Sequence, residues 1–116
     1  MSFDWKDYVY LAEELLSRQE ESALRSSISR AYYGVFCIAR NKKGYKNTTE
    51  KNVHQKVISE YKNSQDRKEQ NIGRILDKLR ESRNKADYNE DRPIDKSLAE
   101  RMVYSAKQIL RSMEIS

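Results

Sequence analysis

An arginine stands where a helix would be expected to bury a leucine. In the stretch RESRNKADYNED, residues 80–91, the apolar steps Ile72, Leu76 and Leu79 lead at helical spacing to Arg83. Arg83 therefore projects towards the side those residues use to reach a core. A desolvated, unpaired guanidinium costs on the order of several kcal/mol, so Arg83 must find anions. Two readings are open. Asp87, one turn on, can pair with it while the aliphatic stem covers apolar surface. Alternatively, the end of this helix lines a cleft in which Arg83 receives a phosphate. Asn84 and Tyr88 would then stand beside it, Tyr88 as stacking surface or hydroxyl donor.

A second unusual stretch is SISRAYYGVFCIAR, residues 27–40. Tyr32 and Tyr33 diverge by about 100° around a helix, so both cannot face the core that Ile28, Ala31 and Val35 define. At least one must meet a neighbour or a ligand, and with Arg30 they complete a candidate phosphate-binding set. Gly34, unfavourable by about 0.5–1 kcal/mol in a helix interior, is tolerable where another backbone or a ligand comes close. Other chemistries lack their residues. One histidine, His54, and one cysteine, Cys37, cannot assemble a zinc set, and no glycine-rich loop could cradle phosphates. No metal or cofactor is expected, and His54 is read as a structural or rim residue.

The elements that must position these groups are helical. With three Gly and one Pro in 116 residues, the chain lacks the turn-makers of an all-β protein. Its length suits a single domain over residues 1–116. Periodicity predicts five helical segments. They run from about Asp4 to Arg18, from Glu21 to Asn41, from a Thr48 or Thr49 cap through Tyr61, from Ser64–Asp66 to the opening stretch, and from Asp95 or Ser97 onward. Pro93 interrupts the last two. The expected fold is all-α, an up-and-down bundle of four to five helices. No signal peptide or membrane-spanning run is found, and a cytoplasmic location is expected.

Net charge is +5, from 23 basic and 18 acidic residues, and it is unevenly placed. Ser22 to Thr49 contains no acid, whereas Arg25, Arg30, Arg40, Lys42, Lys43 and Lys46 are basic; the first 21 residues are mainly acidic. Either neighbouring helices attract each other, or one surface attracts phosphate, with Arg30, Arg40, Lys42 and Lys43 near Arg83.

SRAYYGVFCIAR at 29–40, His54 and LRESRNKADY at 79–88 together resemble the HEPN domain, the higher-eukaryote and prokaryote nucleotide-binding domain. The closer likeness is to its small stand-alone prokaryotic branch, with Ser-Arg-Ala-Tyr-Tyr and Arg-x-x-Ala-Asp-Tyr runs. The resemblance implies a homodimer, and in many members a metal-independent RNase of a toxin–antitoxin or defence system. In those, an arginine and a histidine with four to six residues between them face each other across the dimer. Arg83 matches the arginine, but Tyr88 stands where a histidine would, and Asn89 and Glu90 do not restore it. Cleavage by the RNA 2′-hydroxyl needs a group that moves protons near neutral pH. Imidazole does so, whereas tyrosine, near pKa 10, is mostly protonated.

The expected function is a module that binds nucleotide or RNA phosphate within a toxin–antitoxin or defence system, and the resemblance implies a nucleotidyltransferase partner that acts as its antitoxin or uses it to recruit substrate. The alternative is an endoribonuclease using Arg83, Asp87 and Tyr88, with His54 brought from elsewhere in the dimer. A third reading is a ligand-free helical interaction domain, in which Asp87 satisfies Arg83. Dimerisation is expected through helix two, whose apolar girth includes Tyr33, Cys37 and either Tyr32 or Phe36.

Overall fold

A computed structural model, described over residues 2–115, shows five helices and, among those residues, no strand. They are α1 (Lys6–Leu15), α2 (Glu21–Lys42), α3 (Val53–Lys62), α4 (Arg67–Tyr88) and α5 (Lys96–Ser112). Asp66 caps α4 by accepting from the Lys68 N–H at 3.0 Å, and Asp95 caps α5 through the Leu98 N–H at 2.9 Å. The expected threonine cap of α3 does not form. Thr48 Oγ1 instead accepts from the Glu50 N–H at 3.1 Å. The helix starts after Asn52, whose left-handed φ of 63° an asparagine tolerates. α1 is shorter than predicted, starting at Lys6 and ending at Leu15.

α2 is the central helix. α1, α4 and α5 pack against it, while α3 lies on α4 and meets α2 through side chains, the Tyr61 hydroxyl donating to the Ala39 carbonyl at 3.1 Å. The core contains Ile28, Ala31, Tyr32, Val35 and Phe36 from α2, Leu76 and Leu79 from α4, and Ala106 and Ile109 from α5. Small residues set the α1–α2 crossing. A Cβ on Gly34 would meet Val9 Cγ2 at 2.9 Å and the Trp5 carbonyl at 3.0 Å. Buried Ser27 donates to the Ala12 carbonyl at 2.7 Å on the same side. The close approach that Gly34 permits is thus to protein, not to a ligand. Gly73 does the same between α3 and α4, since a Cβ there would lie 2.6 Å from the Lys62 amide nitrogen.

The C-terminal end of α4 is held from across the bundle. Arg25 Nη1 donates to the carbonyls of Lys85, Ala86 and Asn89 at 3.1, 2.9 and 3.1 Å. Its Nη2 donates to the Arg92 carbonyl at 2.6 Å, and Nε to Glu21 at 2.8 Å. A cation there also suits the partial negative charge of a helix C-terminus.

Candidate anion-binding site

α4 buries Ile72, Leu76, Leu79, Arg83 and Ala86 as one stripe, so the arginine faces inward as its spacing requires. Arg83 is 6% exposed. Its guanidinium carbon lies 5.3 Å from the ring centre of Tyr32, 5.1 Å from Tyr33 and 5.9 Å from Tyr88. These ring faces favour the charge, each by about 0.5–2 kcal/mol. They engage none of its five N–H donors.

Asp87 is the counter-ion its position predicts, but a loose one. Its Oδ2 is 3.8 Å from Arg83 Nη1, beyond hydrogen-bond range, and accepts instead from Ser29 Oγ at 3.2 Å. Arg83 Nε is sealed from solvent without a partner, and so is Nε of Arg80, one turn earlier. Sequence reasoning passes over Arg80, although its place three residues before Arg83 in LRESR is an available signal.

The pair of tyrosines splits as their angular separation demands. Tyr32 is fully buried and Tyr33 half-buried, their rings edge-on at 5.5 Å. The unexpected member is His54, brought by the first turn of α3. Its ring stacks on Phe36 at 4.1 Å and 7°, and its Nδ1 lies 2.6 Å from Tyr32 Oη. His54 is thus a rim residue and a component of the Arg83 cluster in the same chain.

Burial pushes the Tyr32 hydroxyl well above its ordinary pKa, against the opposing pull of Arg80 and Arg83, so it keeps its proton. Burial, then Arg80, Arg83 and Arg40, lower His54 to about 4, so the imidazole is neutral at pH 7. Tyr32 Oη has no other protein partner, and the nearby guanidiniums accept nothing. The hydroxyl therefore donates to Nδ1, which places the ring proton on Nε2.

The cluster is consequently rich in donors and poor in bases. Nδ1 of His54 is occupied, and Nε2 carries a hydrogen. Such a group can donate to a phosphate oxygen but has no free lone pair for a 2′-hydroxyl proton. The remaining sequence candidates lie apart. Asn84 is exposed, and Tyr88 is 76% exposed. Arg30 sits over the Tyr8 ring at 4.9 Å, on the α1 side of α2. Lys43 is paired with Glu69 at 2.9 Å. The depression at the end of α4 is lined by Glu21, Arg25, Ala86, Asp87, Tyr88 and Glu90, three of them carboxylates. Positive charge with no carboxylate in hydrogen-bond range gathers one to two turns earlier, at Arg80 and Arg83. Among the described residues no group of His, Cys, Asp and Glu could hold a metal ion, and no helix is long and apolar enough to cross a membrane.

Fold and side chains define a five-helix bundle in which a buried arginine, with a second one turn earlier, is set against tyrosine rings. A family model, the HEPN domain, matches residues 6–116, and the chain belongs to that family. Its members are in general nucleotide-binding or RNase modules of defence or toxin–antitoxin systems. Neither the curated proteins nor the solved structures contain a significant match.

Proposed function

We propose that this chain is a phosphate-binding HEPN module that recognises nucleotide or RNA, and that it works within a toxin–antitoxin or defence pair with a nucleotidyltransferase. One observation carries the ligand reading: Arg83 is only 6% exposed, yet donates no hydrogen bond to any described protein atom. A buried arginine kept only for the fold would bond its carboxylate directly. Here the carboxylate stands off, and Arg80 repeats the deficit at its Nε. A phosphate oxygen would accept from the Nη groups of both arginines, which are not sealed as their Nε atoms are, with His54 as a further donor. The partner rests on family membership, as does a homodimer, for which light scattering at tens of micromolar is the check.

Binding is favoured over catalysis by the protonation pattern of Tyr32 and His54, which leaves the Asp87 carboxylate as the only base beside Arg83. The test is titration of a 5′-mononucleotide and of a short RNA at low salt, with the RNA followed for cleavage in chelator. Binding without cleavage is expected, with log affinity falling linearly against log salt. No binding of either ligand would sink the reading in favour of an interaction domain. Metal-free cleavage lost in Tyr88→Phe would make the endoribonuclease reading correct.

A further inference from the structure

Arg25, Ser29 and Tyr33 stand four residues apart on α2 and so share a face. All three meet the last turns of α4. Arg25 Nη1 holds the carbonyls of Lys85 and Ala86 at 3.1 and 2.9 Å, and the Tyr33 ring centre lies 5.1 Å from the Arg83 guanidinium carbon. Ser29, between them, donates its hydroxyl across the helix pair to Asp87 Oδ2 at 3.2 Å. The same oxygen stands 3.8 Å from Arg83 Nη1.

A serine inside a helix commonly turns its hydroxyl back to a carbonyl of the preceding turn, as Ser17 does after α1 by donating to Glu14 at 2.9 Å. Ser29 has Asp87 as its partner instead. Asp87 in turn stops short of its nearest cation. An arginine and a carboxylate one turn apart can close to about 2.7–2.9 Å, and Arg25 does close on Glu21 at 2.8 Å. The Arg83 pair remains about 1 Å longer. In it the cation precedes the acid, the less favourable order on a helix. Order weakens such a pair but sets no distance, whereas a hydrogen bond to α2 does. Arg25 pins the backbone just before Asp87, and the hydroxyl holds the very oxygen that would close on the guanidinium.

We propose that Ser29 is a positioning residue that holds Asp87 off Arg83, so that the Nη groups of Arg83 stay available to an incoming phosphate instead of being neutralised from within the chain. Asp87 is then an internal competitor kept at a distance, and one hydroxyl on α2 tunes the affinity of the site. This role rests on the phosphate-binding reading of Arg83 and adds to it a residue that acts through another.

The wild type, Ser29→Ala, Asp87→Asn and the double variant are titrated with adenosine 5′-monophosphate at low salt. Loss of the hydroxyl should let Asp87 close on Arg83 and weaken binding about three- to fivefold, the worth of a partly exposed ion pair. Asp87→Asn removes the competitor and should tighten binding. In that background Ser29→Ala should change affinity no further, because no carboxylate is left to release. A second readout needs no ligand. Rotation about the Arg83 guanidinium C–N bonds, followed by NMR, should be slower in free Ser29→Ala than in the free wild type, as the direct pair forms.

Equal weakening by Ser29→Ala in both backgrounds would make Ser29 a packing residue and overturn its positioning role while leaving the phosphate site intact. Guanidinium rotation as fast in Ser29→Ala as in the wild type would overturn it too. If the wild type binds no adenosine monophosphate, the Arg83 reading fails, and rotation in the free proteins still decides whether Ser29 holds the carboxylate off.

Discussion

Replacing Arg83 by methionine separates a guanidinium that serves the ligand from one that serves the fold. Methionine keeps much of the stem and the helix propensity, so the change is chiefly the removal of charge. The stabilisation forfeited comes first from three ring faces at 5.1–5.9 Å, about 0.5–1 kcal/mol each for partly solvated rings. To these is added an ion pair at 3.8 Å whose carboxylate is a quarter exposed, worth about 1 kcal/mol or less once screened. Against this sum of about 2–4 kcal/mol stands the desolvation of a cation with no hydrogen bond, of similar size, and repulsion from Arg80 is relieved.

The net change should therefore lie within about 1 kcal/mol, a shift of roughly 4–8 °C or less in Tm for a domain near this size. Binding of RNA phosphate should be lost in the same protein. Thermal melts by circular dichroism and anisotropy with labelled RNA measure the two quantities on one sample. A drop of about 3–5 kcal/mol, as expected on breaking a buried ion pair, with binding intact in the folded fraction, would refute the reasoning.

Three further outcomes are expected. Arg25→Ala should destabilise by about 2–4 kcal/mol, since a charged donor leaves four carbonyls, and hydrogen exchange should rise across residues 86–94; unchanged exchange there would deny the clamp. His54 sits below its unfolded value, so the unfolded chain takes up its proton first. Stability should be fully present above about pH 6.5 and decline towards about 4, by on the order of 1–2 kcal/mol after solvent screening. His54→Gln should flatten that decline, and a ring titration by NMR with its midpoint near 6.5 would contradict the buried neutral imidazole. Tyr88→His puts an exposed imidazole about 6 Å from Arg83, so measurable RNA cleavage in chelator is expected where the wild type shows none.

The helices were legible because their apolar steps are regular, and the caps Asp66 and Asp95 announce themselves by residue type. The inward position of Arg83 followed from the same period, as did the splitting of Tyr32 from Tyr33. What the sequence concealed was tertiary. His54 reaches Tyr32 only because α3 folds back along α4, a placement that no local pattern encodes. The α3 start escaped notice because Thr48 serves the preceding turn and a left-handed asparagine takes over. Arg25 read as part of a basic surface, yet its donors are spent on backbone some sixty residues away.

Gly73 sets local and global preference against each other. As a mid-helix residue of α4 it is a poor choice, and alanine would favour the isolated helix by about 1 kcal/mol. In the folded chain the same methyl would stand 2.6 Å from the Lys62 amide nitrogen and 3.0 Å from its Cα, backbone that cannot swing aside. A change that improves the helix therefore acts as a wedge under the C-terminal end of α3. His54 rides on the other end of that short helix, so the imidazole's distance from Tyr32 is set in part by the absence of one carbon atom on a different helix. Selection for a stiffer α4 and selection for an assembled site pull in opposite directions at this position, and the glycine records which one prevailed.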